Sequence, residues 1–142
     1  MNAENIEQAF FEAYSHVGFA YLINHGIASE LRESLFDVSE QFHALPEDVK
    51  RKVEVDYTHR GYIPMAASTD VNSDFAKVTK PNQSSSFMMM REDAVASPDI
   101  YLSGPNKWPE LVGFRETLER YNNEMCVLGA RMMRIALRSL GA

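Results

Sequence analysis

His59-Arg60-Gly61-Tyr62-Ile63-Pro64 gathers the side chains of this sequence best suited to holding a small molecule. A guanidinium can grip a carboxylate through two parallel hydrogen bonds. A tyrosine offers a flat apolar body with a polar tip. Here the two flank a glycine at the mouth of a long irregular stretch. The competing reading of the same letters is a surface turn with a solvated arginine.

Other chemistries find less support. The four histidines are His16, His25, His43 and His59. A mononuclear non-haem iron site needs two histidines and a carboxylate on one face of the metal. The positions two after each histidine are Gly18, Ile27, Leu45 and Gly61, so no His-x-Asp exists. No His-Glu-x-x-His zinc motif and no glycine-rich phosphate loop exists either. Glu40 and His43 stand three apart, and Glu12 and His16 four apart. A di-iron carboxylate bundle needs Glu-x-x-His on two helices and two further glutamates. Only the first pair has that spacing, so both read as solvated polar faces. His25, between Asn24 and Gly26, has no serine, cysteine or acid at triad spacing. Its expected role is to hydrogen-bond backbone in a tight turn. No catalytic residue and no metal ligand is assigned.

The positioning elements follow from periodicity. Ile6, Ala9, Phe10, Ala13, Tyr14 and Val17 recur at helical spacing and predict a helix ending at Gly18. Phe19 to Ile23 reads as a strand that is apolar on both faces and therefore needs protein on both. Asn24-His25-Gly26 supplies turn chemistry. Ser29 is the predicted N-cap of a second helix, carrying Leu31, Leu35, Val38 and Phe42 as far as about Leu45. Pro46 suits the first position of a short third helix ending near Val53. Periodicity dissolves from Asp56 to Pro105, where Ser86 to Met90 is the best strand candidate. A long helix is predicted from about Glu110 to Leu140, on the order of 45 Å long. Its stripe runs Leu111, Phe114, Leu118, Tyr121, Met125, Leu128, Met132 and Ile135, with Val112, Val127, Met133 and Leu137 adding apolar surface off it. Acids lie early and arginines late, as the helix dipole favours. The expected fold is mainly α with a few short β-strands (α+β).

Bulk properties narrow the class. The chain has 142 residues, 45% hydrophobic and 24% charged, which fits one globular domain or a large part of one. A net charge of -6 argues against a nucleic-acid partner. No apolar run is long enough to span a bilayer. No charged-then-apolar leader opens the chain. The single cysteine, Cys126, cannot form an internal disulfide, and its helical spacing among apolar residues predicts a buried, reduced thiol in a cytoplasmic protein.

Taken in order, Gly18-Phe19-Ala20-Tyr21-Leu22-Ile23-Asn24-His25-Gly26-Ile27, Phe42-His43-Ala44-Leu45-Pro46-Glu47-Asp48-Val49-Lys50, Arg60-Gly61-Tyr62-Ile63-Pro64, Gly104-Pro105-Asn106-Lys107-Trp108-Pro109 and Gly113-Phe114-Arg115 with Tyr121 form a series. The series resembles the N-terminal region of the isopenicillin N synthase-like family of non-haem iron, 2-oxoglutarate-dependent oxygenases. The resemblance runs from about Ile6 to Gly141. It implies a helical wrap around a double-stranded β-helix (jelly roll), with the strand at Phe19 to Ile23 joining that core's sheet and the long helix packing beneath it. It also implies a chain, residues 1–142, truncated at both ends, with the catalytic core missing.

The family's iron ligands have no counterpart here. Arg32-Glu33-Ser34 matches the family's Arg-x-Ser by letters only, because it falls on the second helix. The resemblance implies Fe(II) and 2-oxoglutarate in the parent enzyme, oxidation of a small-molecule substrate there, and neither cofactor bound by this chain alone. The implied partner is the chain's own C-terminal jelly-roll domain. The implied substrate-facing wall is Arg60 and Tyr62, with Phe87. The alternative is a stand-alone helical dimerisation module built on the heptad-like stripe. Trp108, Pro109 and the aromatic segment have no use in such a module.

Overall fold

The computed structural model describes residues 3–67, 79–93, 95–97 and 99–141. It is mainly helical with one two-stranded sheet. The elements are α1 (Ala3–Glu12), continued by a π-helical turn over Ala13–Val17, then α2 (Ser29–Ala44), α3 (Glu47–Lys50), β1 (Gly61–Ile63), β2 (Ser86–Met88) and α4 (Phe114–Ser139). They fall into two compact units, Met1–Val38 with Glu116–Ala142, and Ser39–Arg115. Among the described residues no helix is long and apolar enough to cross a membrane.

In the first unit the opening helix stops where the sequence predicts. Gly18 takes φ +91° and its N–H donates to the Ala13 carbonyl at 3.0 Å, the left-handed cap that glycine favours. Phe10 and Tyr14 stack at 4.4 Å along one face. The turn at residues 24–26 also forms as expected. Asn24 sits at φ +54°, and the Ile27 N–H donates to His25 Nδ1 at 3.0 Å. The entry to α2 differs by one position. The Ala28 carbonyl accepts the Arg32 N–H at 3.3 Å, so Ser29 lies inside the helix and not at its cap.

Residues 19–23 form no strand. Phe19, Tyr21 and Ile23 are 67%, 94% and 77% exposed. High β-propensity becomes a strand only when a neighbour completes the ladder, and among the described residues the sole sheet is β1–β2.

Helix α4 begins four residues later than predicted. Gly113 at φ +77° and the Phe114 N–H on the Leu111 carbonyl make a separate turn after Pro109. The main stripe is half-buried at Leu118, Tyr121, Leu128, Met132 and Ile135, while Met125 within it is exposed. Cys126 is exposed, against expectation. It shares a face with Ala130, Met133 and Leu137 at spacings of four, three and four, all of them exposed. Helical spacing identified an apolar face, and that face is uncovered.

The second unit is built around β1 and β2, antiparallel with Tyr62 opposite Phe87. Pro46, at φ −53° and ψ 145°, caps α3 from outside and is not its first residue. A three-residue 3-10 turn, Arg51–Val53, carries the chain to β1. The Val55 N–H donates to the Tyr62 carbonyl at 2.8 Å, so the segment after the turn flanks β1. Gly61 makes this approach possible. At φ +111° a Cβ there would collide with the Val53 carbonyl oxygen, a backbone obstacle that cannot swing aside.

Two glycine-to-alanine substitutions should therefore move stability in opposite directions. Gly61→Ala combines a backbone clash with a left-handed φ and should destabilise by about 3 kcal/mol or more. Gly129→Ala lies inside α4 with open space around it and should stabilise by about 0.5–1 kcal/mol. Thermal melts followed by circular dichroism check both signs.

Candidate functional site

The second unit has an aromatic centre. Phe42 at the end of α2 is fully buried, and Phe114 at the start of α4 is 1% exposed. Their rings lie 5.0 Å apart. Phe87 from β2 sits 5.2 Å from Phe42 and 4.9 Å from Phe114, and Tyr62 from β1 sits 5.8 Å from Phe42. Trp108 completes the group, 5.9 Å from Phe87. Tyr62 and Phe87 thus occupy one pair position and one face of the hairpin. The Tyr62 hydroxyl donates to Glu47 Oε2 at 3.0 Å, while Lys50 lies 3.4 Å from the same carboxylate and over the Tyr62 ring. Desolvation pushes the Glu47 carboxyl up, but hydrogen bonds from Tyr62 and Lys50 and the charge of Arg51 hold it below its usual value.

Arg60 goes elsewhere. It is 1% exposed, which removes the reading of a solvated surface arginine. Its Nη1 donates to the Thr58 carbonyl and its Nη2 to the Arg91 carbonyl, both at 3.1 Å. Its Nε has no partner. No carboxylate forms an ion pair with it among the described residues. A buried, unpaired donor costs about 1–3 kcal/mol, and a buried charge without a counter-charge costs more.

Arg60 lines an open cleft of about 300 Å³. Arg91, Asp93 and Ser103 add its other polar groups, and Met90, Ile100, Tyr101 and Leu102 its apolar ones. Neither Tyr62 nor Phe87 lines it. Of the three sequence-predicted residues, Tyr62 and Phe87 are brought together and Arg60 faces a different surface. The remaining cleft residues escaped the sequence reading because they lie in the aperiodic stretch. The one available signal was the charged run Arg91-Glu92-Asp93 directly after the methionines.

The cleft's frame is held by polar side chains. Asn106 brackets Met90, accepting its N–H at 2.9 Å and donating to its carbonyl at 2.8 Å. Glu92 accepts from Asn106 at 3.0 Å and from the Trp108 indole at 3.2 Å. The Asp93 N–H donates to the Gly104 carbonyl, and the Ser97 N–H to Ser103 Oγ. Arg91 lies 3.1 Å from Asp93, and its hydrogen bond holds the Asp93 carboxyl low against some desolvation. Nearby, Lys107 binds Asp56 at 2.8 Å and the Glu54 carbonyl at 2.7 Å. Hydrogen bonds from Lys107 and then Thr58 hold Asp56 far below the usual carboxylate range.

No group of three His, Cys, Asp or Glu side chains stands ready for a metal among the described residues. His16 is committed to the Glu12 carbonyl at 3.1 Å and to Ser15 at 3.0 Å, while the Glu12 carboxylate accepts from Gln8. His43 Nδ1 is 3.2 Å from Ser85 Oγ. Among the described residues the donor set does not fit a ferrous ion.

Residues 2–111 match the family model described as the N-terminal region of non-haem dioxygenase in morphine synthesis. Over 98% of its length the chain is 32% identical to kihadalactone A synthase of Citrus sinensis, covering 41% of that protein. Over 87% it is 31% identical to the 2-oxoglutarate-dependent dioxygenase tropC of Talaromyces stipitatus, covering 39%. Among solved structures, a full-length Neurospora crassa protein crystallised in complex with alpha-KG superposes with a TM-score of 0.76 and 27% identity, over 98% of this chain and 42% of that one. The chain spans about two fifths of the length of the curated relatives it matches.

His43 gives this unit a pH response with a defined sign. Burial and then the charge of Lys50 lower its pKa, so the folded state disfavours the protonated ring. Its contribution is whole above the ordinary imidazole value of about 6.5 and is lost as pH falls from there toward the lowered folded value. Melting temperature should fall between about pH 7 and pH 5.5, and His43→Gln should flatten that slope in a pH series of melts.

Proposed function

The chain belongs to the non-haem dioxygenase N-terminal family, and on that footing we propose that it is the helical wrap of an Fe(II)- and 2-oxoglutarate-dependent oxygenase acting on a small molecule. The observation that carries the reading is the uncovered segment at residues 19–23. Three large side chains there are mostly exposed on a backbone with strand composition and no sheet partner among the described residues. The Cys126, Met133 and Leu137 face of α4 is uncovered in the same way. Apolar surface of this kind on a folded chain marks an interaction site. Its proposed occupant is a C-terminal jelly-roll domain of the same protein, which accords with the three fifths of the relatives that this chain does not span.

On this reading the chemistry, whether hydroxylation, desaturation or ring closure, belongs to the jelly roll, and the 142-residue chain is inactive alone. Both cofactors are assigned to the parent enzyme, and the described residues of this chain hold no cluster of three donors. The wrap contributes a substrate-facing wall built on Arg60, Tyr62 and Phe87. Within it, Tyr62 is a buried and Phe87 a half-buried anchor of the hairpin, and Arg60 lines the cleft. Neither nucleic acid nor membrane is a partner in this proposal. The proposed compartment is the cytoplasm, which keeps the lone thiol of Cys126 reduced. The exposed stripe of α4 also suits self-association through a helix pair, the alternative reading.

Two measurements separate these readings. Translating the coding sequence beyond Ala142 should reveal His-x-Asp and a later histidine. That longer product should form succinate from 2-oxoglutarate with ferrous ion, while the 142-residue chain should show no ferrous-ion binding by calorimetry. Stoichiometric iron binding by the chain alone would overturn the proposal. So would a stop codon after Ala142 together with a discrete dimer in sedimentation.

A further inference from the structure

We propose that the cleft beside Arg60 is a binding site for a small organic carboxylate carrying an apolar body. The proposal deepens the assignment of Arg60 to the substrate wall, and it rests on that reading only in taking the ligand to be substrate. The binding itself follows from residues of this chain.

A guanidinium carries five N–H donors. Two are given to the Thr58 and Arg91 carbonyls, which fix the plane of the group. Three remain, including the Nε–H, which is buried without any partner. Neutral carbonyls satisfy hydrogen bonds but leave the positive charge unbalanced. Among the described residues Asp93 is the one carboxylate lining the cleft, and it is paired with Arg91 at 3.1 Å. That pair cancels, so the described lining retains the single positive charge of Arg60. An anionic oxygen is what such a site lacks, and a carboxylate matches the planar fork.

The remaining walls choose the rest of the ligand. Ile100 and Tyr101 are 52% and 85% exposed at the cleft, and Met90 and Leu102 are half-buried beside them. Apolar surface close to one fixed charge favours an amphipathic monocarboxylate over an inorganic anion. It also favours it over a short dicarboxylate, whose second charge would meet apolar side chains and Asp93. The volume of about 300 Å³ lies at the small end for ligand pockets.

Phenylacetate and phenylacetamide test this, since they share a shape and differ in charge. In the isotope-labelled 142-residue chain, the Arg60 Nε–H resonance should shift saturably with phenylacetate. The amide should bind at least about tenfold more weakly. 2-Oxoglutarate, tested as the dicarboxylate, should also bind more weakly than phenylacetate. Arg60→Gln should abolish the phenylacetate response. Because that variant removes a buried group and can unfold the hairpin, Ile100→Trp, which fills the rim from an exposed position, should abolish the response with other amide signals unchanged. Equal binding of acid and amide, stronger binding of 2-oxoglutarate, no saturable shift, or an undiminished shift in Ile100→Trp would each overturn the site. Failure here leaves succinate formation by the longer product unaffected, and failure of that assay leaves this titration unaffected, so the two proposals fall separately.

Discussion

Phe42 is the side chain on which the second unit depends. It is wholly buried, and the rings of Tyr62, Phe87 and Phe114 all lie within 6 Å of it. It therefore ties the end of α2 to both strands and to the first turn of α4. Strands of three residues have too few ladder bonds to stand alone. Their stability comes from this apolar contact, and a Phe→Ala loss at such a position is typically about 3–5 kcal/mol. The aromatic pairs also fix register, because Tyr62 and Phe87 must face the same way to reach Phe42.

Everything polar in the unit is arranged around that anchor. With Tyr62 turned inward, its hydroxyl meets Glu47 at the start of α3. The left-handed residues His59 and Gly61 break the alternation just before it, and Arg60 is left beside the chain that follows β2. Asn106 and Glu92 then hold that chain against Trp108. The cleft is a consequence of packing the aromatic face first and of satisfying the loop's backbone with side chains second. One donor, the Arg60 Nε–H, is left over, and it is the feature of this unit that packing does not account for.

The sequence was most legible where one element could be read by itself. The 3–4 stripes gave three helices, Gly18 gave a stop, and His25 gave a turn contact, because each depends on residues within a few positions. It was least legible where the outcome depends on a distant partner. Phe19 to Ile23 has the composition of a strand but no neighbour to pair with among the described residues. Cys126 has the spacing of a core residue on a face that nothing covers. In the opposite sense, Gly61–Ile63 is a strand with no propensity signal of its own length, made by Val53, Val55 and Phe87 coming to it. The burial of Arg60 was equally hidden, since only the fold brings the Arg91 carbonyl, 31 positions away in sequence, to its guanidinium.

Two of the failed expectations, the strand and the buried thiol, concern residues whose expected neighbours are not found among the described residues. Amide hydrogen exchange at residues 19–23 tests the account most directly, measured in this chain and in the product of the extended coding sequence. The account predicts that these amides exchange freely in the 142-residue chain and become strongly protected in the longer product. Protection already present in the chain alone, or no gain in the longer product, would contradict it.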